Sequence, residues 1–587
     1  MKAYEDYFSS ESIIKLLCRQ RIKLAKKRHE KHLLRDISLH GSTKRHLGIK
    51  KDYGFSSMFP PRRTWVRFNN IQRLKYKNSS DLNVAALYYT ILETHKLVSS
   101  SKLFPPDWYL NLQTFILSVQ KEIAGLTPLK LQPPETRPIK KEIEGGLTIC
   151  RPISTYKLKE RIIISLTAKY LIKSFDPIFR DSSLAFRATQ PGAKLITHHD
   201  AIEKILEYRK TNEGAIWAAE CDIKKFFDCI NHRLIKLSFT CLSKKLLVKG
   251  IDIAPKAKEV FVKYLNSYTF NKQVFTLNSN QEFFKKFKLE NGCFEWPSSK
   301  LESEFYPVNL DKTAIGVPQG GAISCFIANL ILHKVDDLVL RKRQDKDLLY
   351  LRFCDDMIIL HTDKNKCQVA LNHYLKGVKQ IKLLVHEPAQ ISDYNKEFWE
   401  TKSKAPYKWA NKTEAKGNVP WLAFVGYQIK YNGFIRVRKK SLEAEIKKQG
   451  EKTNQVLKAV RATDKTNINK NSRKSFNQQV YAIESRLISM AVGRVALHNF
   501  KDKTFSLCWT NGFKHLDYNV VVKSQLKSLD RSRSKQINRL KLKLSSLSKK
   551  SDGKGEVAKP VRYFGYPFSY YRFIKNKEIA SLNPLSQ

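Results

Sequence analysis

The chain has 587 residues, 42% of them hydrophobic and 11% aromatic, which excludes wholesale disorder and leaves room for several domains with sizeable cores. Lys and Arg number 107 against 54 Asp and Glu, a net charge of +53, and a compact fold with that excess needs a polyanion such as a phosphate backbone to neutralise it. No apolar run approaches the roughly 18 residues of a membrane-spanning helix, and MKAYEDYFSSESIIKLL lacks the order of a signal peptide. The ten cysteines never fall as CxxC, which disfavours a zinc ribbon and points to a reducing compartment. Cys221 and Cys354 lie in apolar, strand-like runs, as small buried hydrophobes do. The expectation is a soluble, nucleic-acid-facing protein.

In chain order, residues 15–35 carry nine Lys and Arg and one acid, interleaved with Leu16, Leu17, Ile22, Leu24, Leu33 and Leu34. This predicts a basic amphipathic helix, either docked by its leucine face or touching phosphate directly. Residues 81–125 read as helical with a break at Pro105-Pro106, and the Pro-rich 126–138 as a boundary or extended arm. From about 140 to 435, β-type and helical runs alternate. After 440 the pattern is mostly helical, and residues 441–587 hold 30 Lys and Arg against 11 Asp and Glu. Within that part, 523–554 has eleven basic and two acidic residues, a helix or arm suited to a phosphate backbone. The segment VRYFGYPFSYYRF interleaves Arg with aromatics, either as a base-stacking surface or as core packing.

Three segments carry chemistry. In AIWAAECDIKKFFDCINHRL, 215–234, an apolar run ends at Asp222, which puts a carboxylate on the rim of a sheet. In GVPQGGAISCFIANLIL, 316–332, Pro and Gly predict a tight turn before an apolar helix, with backbone amides and Gln319 near a ligand. In LLYLRFCDDMIIL, 348–360, two apolar strands flank Asp355-Asp356, the pattern of a hairpin with carboxylates at its tip. Such oxygen-rich sites suit Mg²⁺, and two ions roughly 3.5–4 Å apart can clamp the attacking and leaving oxygens of phosphoryl transfer.

Together these segments resemble the reverse transcriptase family. DIKKFFDCINH is similar to its first palm motif, GVPQGGAISCFIANL to its second, and FCDD to its aspartate-pair box. CRPISTYKLKERI (150–162) and SLAFRATQPGA (183–193) resemble fingers motifs of the bacterial branch, and FVGYQIKYNGFIRVRKKS (424–441) the primer grip. The resemblance spans about 140–441, roughly half the chain, and extends to group II intron maturases, retron enzymes and defence-associated or abortive-infection reverse transcriptases. It implies an α+β right-hand polymerase: an N-terminal basic helical extension at 1–130, fingers and palm at 131–440, a helical thumb at 441–515, and a basic, aromatic C-terminal extension at 516–587. It also implies catalytic and metal-binding roles for Asp222, Asp355 and Asp356, with the Ile223 carbonyl as a further ligand to two Mg²⁺. Phe227 falls where the family excludes a ribose 2′-hydroxyl, Gln319 and Gly320 where it lines the incoming nucleotide, and Arg151 where it grips the triphosphate. Arg187 either assists Arg151 or makes a fold-stabilising ion pair.

The chain departs from the family pattern at Cys325, where relatives carry proline, and at Phe353, where they carry tyrosine. LLVHEPAQISDY (383–394) has no lysine at the offset where the family protonates pyrophosphate; His386, Lys396 or water could take that role. No histidine-rich nuclease motif or paired cysteines follow the thumb. The implied function is RNA-directed addition of deoxynucleotides to a primer 3′-hydroxyl. The implied setting is the bacterial cytoplasm, in antiphage defence, with a dedicated non-coding RNA, and self-association or an accessory protein as further partners. Two alternatives stay open: template-independent or protein-primed synthesis at the same site, for which Tyr563, Tyr566, Tyr570 and Tyr571 offer hydroxyls, and an RNA-binding splicing or scaffold protein with a silent polymerase core.

Overall fold

A computed structural model describes residues 2–37, 53–76, 79–189, 195–297, 299–308, 310, 312–341, 345–391, 393–411, 417–461, 513–516, 519–548 and 568–569. Most of the expected thumb, the four tail tyrosines and Gln190–Ala193 therefore lie outside the described residues. The chain forms two compact units: Met1–Ser12, Leu117–Val425 and Ile429–Phe434 in one, and Ile13–Ile116, Gly426–Gln428 and Ile435–Gln587 in the other. Among the described residues no helix is long and apolar enough to cross a membrane.

The basic N-terminal run forms helix α1 (Ser10–Ile37), with Ile13, Ile14, Leu17, Cys18 and Ile22 buried and Lys15, Arg19 and Lys23 exposed, as the spacing of apolar residues predicts. Ahead of it, Tyr4 and Tyr7 set their rings edge-on against Tyr170, and the Tyr4 hydroxyl lies 2.6 Å from that of Thr167. Helices α2 (Ser79–Ser99) and α3 (Asp107–Ile123) stop and restart around Pro105-Pro106, since proline supplies no amide to a helix interior.

In the first unit, β1 (Glu135–Glu144) and β2 (Leu147–Thr155) form an antiparallel hairpin, and β2 pairs in parallel with the short β4 (Gly292–Cys293). A second, four-stranded sheet has the order β5-β6-β3-β7, from β3 (Ile216–Cys221), β5 (Leu349–Phe353), β6 (Asp356–His361) and β7 (Lys404–Trp409). The central strands β3 and β6 are buried along nearly their whole length, as their continuous apolar runs require. The same unit holds helices α4 (Leu158–Phe175), α5 (His198–Thr211), α6 (His232–Val248), α7 (Pro255–Asn266), α8 (Ala322–Val339) and α9 (Lys364–Gln380). Of these, α9 packs on β3, β6 and β7, and α8 packs on α9, α4 and α6. That leaves the strand ends at Asp222 and at the β5–β6 turn accessible.

The chain continues through β8 (Trp421–Phe424), β9 (Tyr427–Lys430) and β10 (Ile435–Val437). In the second unit, α10 (Lys439–Arg461) packs along α11 (Val520–Ser548), so the described part of the basic stretch 523–554 is a helix rather than a loose arm.

Candidate active site

The Asp222 backbone is held on both sides of its Cα. Its N–H donates to Ser403 Oγ at 2.9 Å, and its carbonyl accepts from His386 N–H at 2.9 Å. Lys224 N–H donates to Leu384, so the bridge of Ile223 to Val385 turns the amide and carbonyl of Ile223 itself away from that segment. Cys221 lies opposite Met357 in the β3–β6 ladder, so the next step sets Asp222 beside Asp356. Phe353 pairs with Asp356 across β5 and β6, which leaves Cys354 and Asp355 as a two-residue turn. Cys354 has φ +63°, the left-handed conformation that primed hairpin turns need at their first position. The apolar run around Cys354 predicts a strand there; it is the turn residue instead. Asp222 and Asp355 are half-buried and Asp356 is exposed.

Behind the turn is a buried polar network that the sequence did not reveal. Arg352, fully buried on β5, donates Nε (2.8 Å) and Nη2 (2.7 Å) to the two oxygens of Asp336 on α8. It also donates Nη2 to Ser183 Oγ and Nη1 to the Cys354 carbonyl, each at 2.8 Å. The Tyr350 hydroxyl donates to the same Asp336 at 2.8 Å, and Asn329 joins Ser183 to the Ala185 carbonyl. A planar cation with a rigid donor fork suits this position, because it satisfies a buried acid and at the same time fixes the carbonyl of the turn residue preceding Asp355. A lone Arg in LLYLRFCDD and an acid in the apolar α8 run were the available signals.

A second cluster joins β2 to the Pro-Gly loop. Ile153 on β2 bridges Gln319, and Ser154 N–H donates to the Gln319 carbonyl at 3.1 Å. Gln319 Nε2 donates to Asp228 Oδ1 at 2.8 Å. Burial pushes the Asp228 carboxyl up to about 6, against the Gln319 hydrogen bond and the charges of Lys225 and Arg151. Arg151 is exposed on β2, and Phe227 is half-buried with its carbonyl accepting from Val317 N–H at 2.8 Å. Arg151, Phe227 and Gln319 are thus gathered around Asp228, an acid that no sequence pattern singled out although it stands within DIKKFFDCINH. Gly320 has φ +92°, and a Cβ on Gly321 would collide with the Tyr264 hydroxyl, so this loop admits no larger residues. His232 is buried and donates Nε2–H to the Gly316 carbonyl at 2.6 Å, which fastens the start of the loop.

Arg187 lies apart from this cluster. It is buried in an ion pair with Asp176 at 2.7 Å and also donates to the carbonyls of Arg180 and Ser183, so of its two readings the fold-stabilising ion pair is the one realised. His386 Nε2 lies 3.8 Å from Asp222 Oδ2 and 3.2 Å from Lys402 Nζ. Burial first, then Lys402, Lys224 and Lys141, push its imidazole down to about 4, which favours the neutral ring. Lys396 is exposed and pairs with Glu400 at 3.4 Å on its own helical turn. All described cysteines are free thiols.

The donor set fits a hard divalent cation, since three carboxylates at a solvent-accessible sheet rim supply only oxygen. Among the described residues no three His, Cys, Asp or Glu side chains gather closely enough to hold an ion by themselves. An ion here would complete its shell from substrate phosphates and water, as Mg²⁺ does.

A family model for "Reverse transcriptase (RNA-dependent DNA polymerase)" matches residues 139–388, from within β1 to just beyond His386, and takes in the three rim carboxylates together with Arg151, Phe227, Asp228 and Gln319. Residues 139–388 are a reverse transcriptase domain. The chain is accordingly an RNA-directed DNA polymerase, a nucleotidyltransferase. Reverse transcriptase domains generally use divalent metal ions, in keeping with the carboxylate rim. No curated protein matches the chain. Among solved structures, a telomerase from Candida albicans in complex with a fragment of telomeric RNA overlaps with 11% identity and a TM-score of 0.32, covering 87% of this chain and 76% of that one. An apo telomerase from Candida tropicalis truncated from its C-terminal domain overlaps at 16% identity and 0.30, covering 52% and 55%. The apo Candida tropicalis telomerase gives 12% and 0.29, covering 72% and 65%. Overlap this loose adds nothing to what the domain match establishes.

Proposed function

We propose that the chain copies an RNA template into DNA at the rim formed by Asp222, Asp355 and Asp356, within fingers and palm at 131–440 and with a thumb at 441–515. Asp222, Asp355, Asp356 and the Ile223 carbonyl would hold two Mg²⁺. When bound, these ions activate the primer 3′-hydroxyl and steady the pyrophosphate leaving group. Arg151 offers a charged fork to the triphosphate. Phe227 fills the space a ribose 2′-hydroxyl would need and so selects deoxynucleotides, while Gln319, aimed by Asp228, and Gly320 line the incoming nucleotide. The observation that supports this most directly is the strand register that sets Asp222 beside the Asp355-Asp356 turn.

The biological setting we infer is antiphage defence in the bacterial cytoplasm, with a dedicated non-coding RNA as partner and with self-association or an accessory protein as further contacts. The supports are the bacterial-type motifs and the net charge of +53. The test is to purify the protein from its host, sequence the RNA that accompanies it, and add labelled deoxynucleotides with Mg²⁺. One recurrent structured RNA with complementary DNA product is the expected result. DNA matching no bound RNA would replace templated copying by template-independent or protein-primed synthesis, and RNA without DNA would point to the scaffold reading.

A further inference from the structure

Helix α11 is amphipathic in an unusual sense: one face is apolar and packed, and the other is a row of cations. Val522, Leu526, Leu529 and Leu540 are buried, and the helix packs along α10. Lys527, Arg531, Lys535 and Arg539 follow at every fourth position and are all exposed. Four residues of α-helix rise about 6 Å, a step comparable with the phosphate repeat of one nucleic-acid strand. Nothing among the described residues pairs with Lys527, Arg531 or Lys535. Arg539 is steadied by Gln536 (2.8 Å) and Asn454 (3.2 Å), so its charge is fixed in place.

These cations border a cleft of about 750 Å³. Among the described residues its one carboxylate is Asp530, which is buried and accepts the amides of Phe568 (3.1 Å) and Ser569 (2.9 Å), so it is turned to the protein rather than to the cations. Ser534 and Asn538 stand between the cations and bring a hydroxyl and an amide to the same cleft. Those groups can donate to and accept from a ribose 2′-hydroxyl, which distinguishes RNA from DNA.

We propose that this edge of α11 is a docking ridge for the phosphate backbone of an RNA strand, with Lys527, Arg531 and Lys535 on successive phosphates and Ser534 and Asn538 at the riboses. The inference rests on the RNA-directed reading and locates a surface that holds the RNA. Phosphate pairing of this kind gives affinity without sequence preference.

The experiment uses the full chain and a short, fluorescent, mixed-sequence RNA strand, with DNA of the same sequence as the second probe. Binding is measured across a salt series for the wild type, for the triple variant Lys527→Gln, Arg531→Gln, Lys535→Gln, and for Lys527→Arg, Lys535→Arg, which keeps the charge. Each phosphate contact contributes about 0.7 to the slope of log K against log salt on a single strand, so the triple variant loses about 2 from that slope and roughly tenfold in affinity near physiological salt. The charge-keeping variant retains both, which separates lost contacts from lost folding. An unchanged slope in the triple variant overturns the proposal. So does a wild type that binds the DNA probe as tightly as the RNA probe, which would remove the assignment to RNA, or a loss confined to capture of a protein partner. Synthesis is scored separately: a wild type that binds RNA through the ridge but makes no DNA would sink the polymerase reading and leave the ridge standing.

Discussion

Beneath the Asp355-Asp356 turn, Arg352 directs its donors at buried partners, whereas along α11 Lys527, Arg531 and Lys535 reach into solvent with none among the described residues. The same charge does opposite work in the two places. In the four-stranded sheet it is neutralised locally and converted into position: the guanidinium fixes a carbonyl, the carbonyl fixes a turn, and the turn presents two carboxylates. On α11 no described residue compensates it, and it acts at a distance on whatever anion approaches. Net charge therefore says little about a chain until one knows which cations are already answered.

The contrast can be broken at four points. Replacing Asp355 and Asp356 by Ala removes two of the three rim carboxylates, and primer extension on an RNA template is expected to fall at least about a thousandfold. Binding of RNA measured in the same preparation should hold, because the basic surfaces are untouched. Second, Arg352→Leu strands Asp336 without its cation in the core, at a cost of about 3–5 kcal/mol in chemical denaturation, and adding Asp336→Leu should return most of it. A double variant no more stable than the single one would mean that the pair is not the source of the loss.

Third, Asp228→Asn tests the one acid in the cluster that burial makes reluctant to ionise. Its folded pKa of about 6 lies above the ordinary value of 3.8, so the native state binds the extra proton between those limits and stability falls as pH rises from about 4 to 6. The Asn oxygen still accepts from Gln319, and the variant lacks this fall; its advantage over the wild type should grow across that window to about 1–3 kcal/mol and stay level above it. Thermal melts at acid and neutral pH check the sign. Smallest of all, Lys527→Gln on the exposed ridge should shift the melting midpoint by no more than about 0.5 kcal/mol of stability, the ordinary effect of a surface substitution. A core-sized loss there would mean that the lysine has a structural partner.

The elements bearing the carboxylates were legible in the sequence because local patterns encode them. An apolar run ending in Asp222 becomes a central strand with an acid at its rim, and two apolar runs around Asp355-Asp356 become a tight hairpin. What could not be read is every interaction that depends on which distant segments meet. Arg352 and Asp336 are sixteen residues apart on different elements, Asp228 finds Gln319 across ninety-one, and Ser403 reaches the Asp222 amide across 181. Arg187 shows the same limit from the other side: the sequence left it between nucleotide contact and ion pair, and only the approach of Asp176 decides. Cys354 departs from its expected place because its neighbours favour a strand, while the hairpin's closure demands a left-handed residue at that point.

The two-residue connection between Phe353 and Asp356 also constrains how this protein can change. Side chains alternate faces along β6, so one residue inserted or deleted there would shift the hairpin register and turn Asp356 from the open rim toward the helix-covered side. Exchange of Cys354 for another residue that accepts a positive φ leaves the carboxylates in place, whereas insertions and deletions displace them. At Cys354 composition is negotiable; the length of the turn is not.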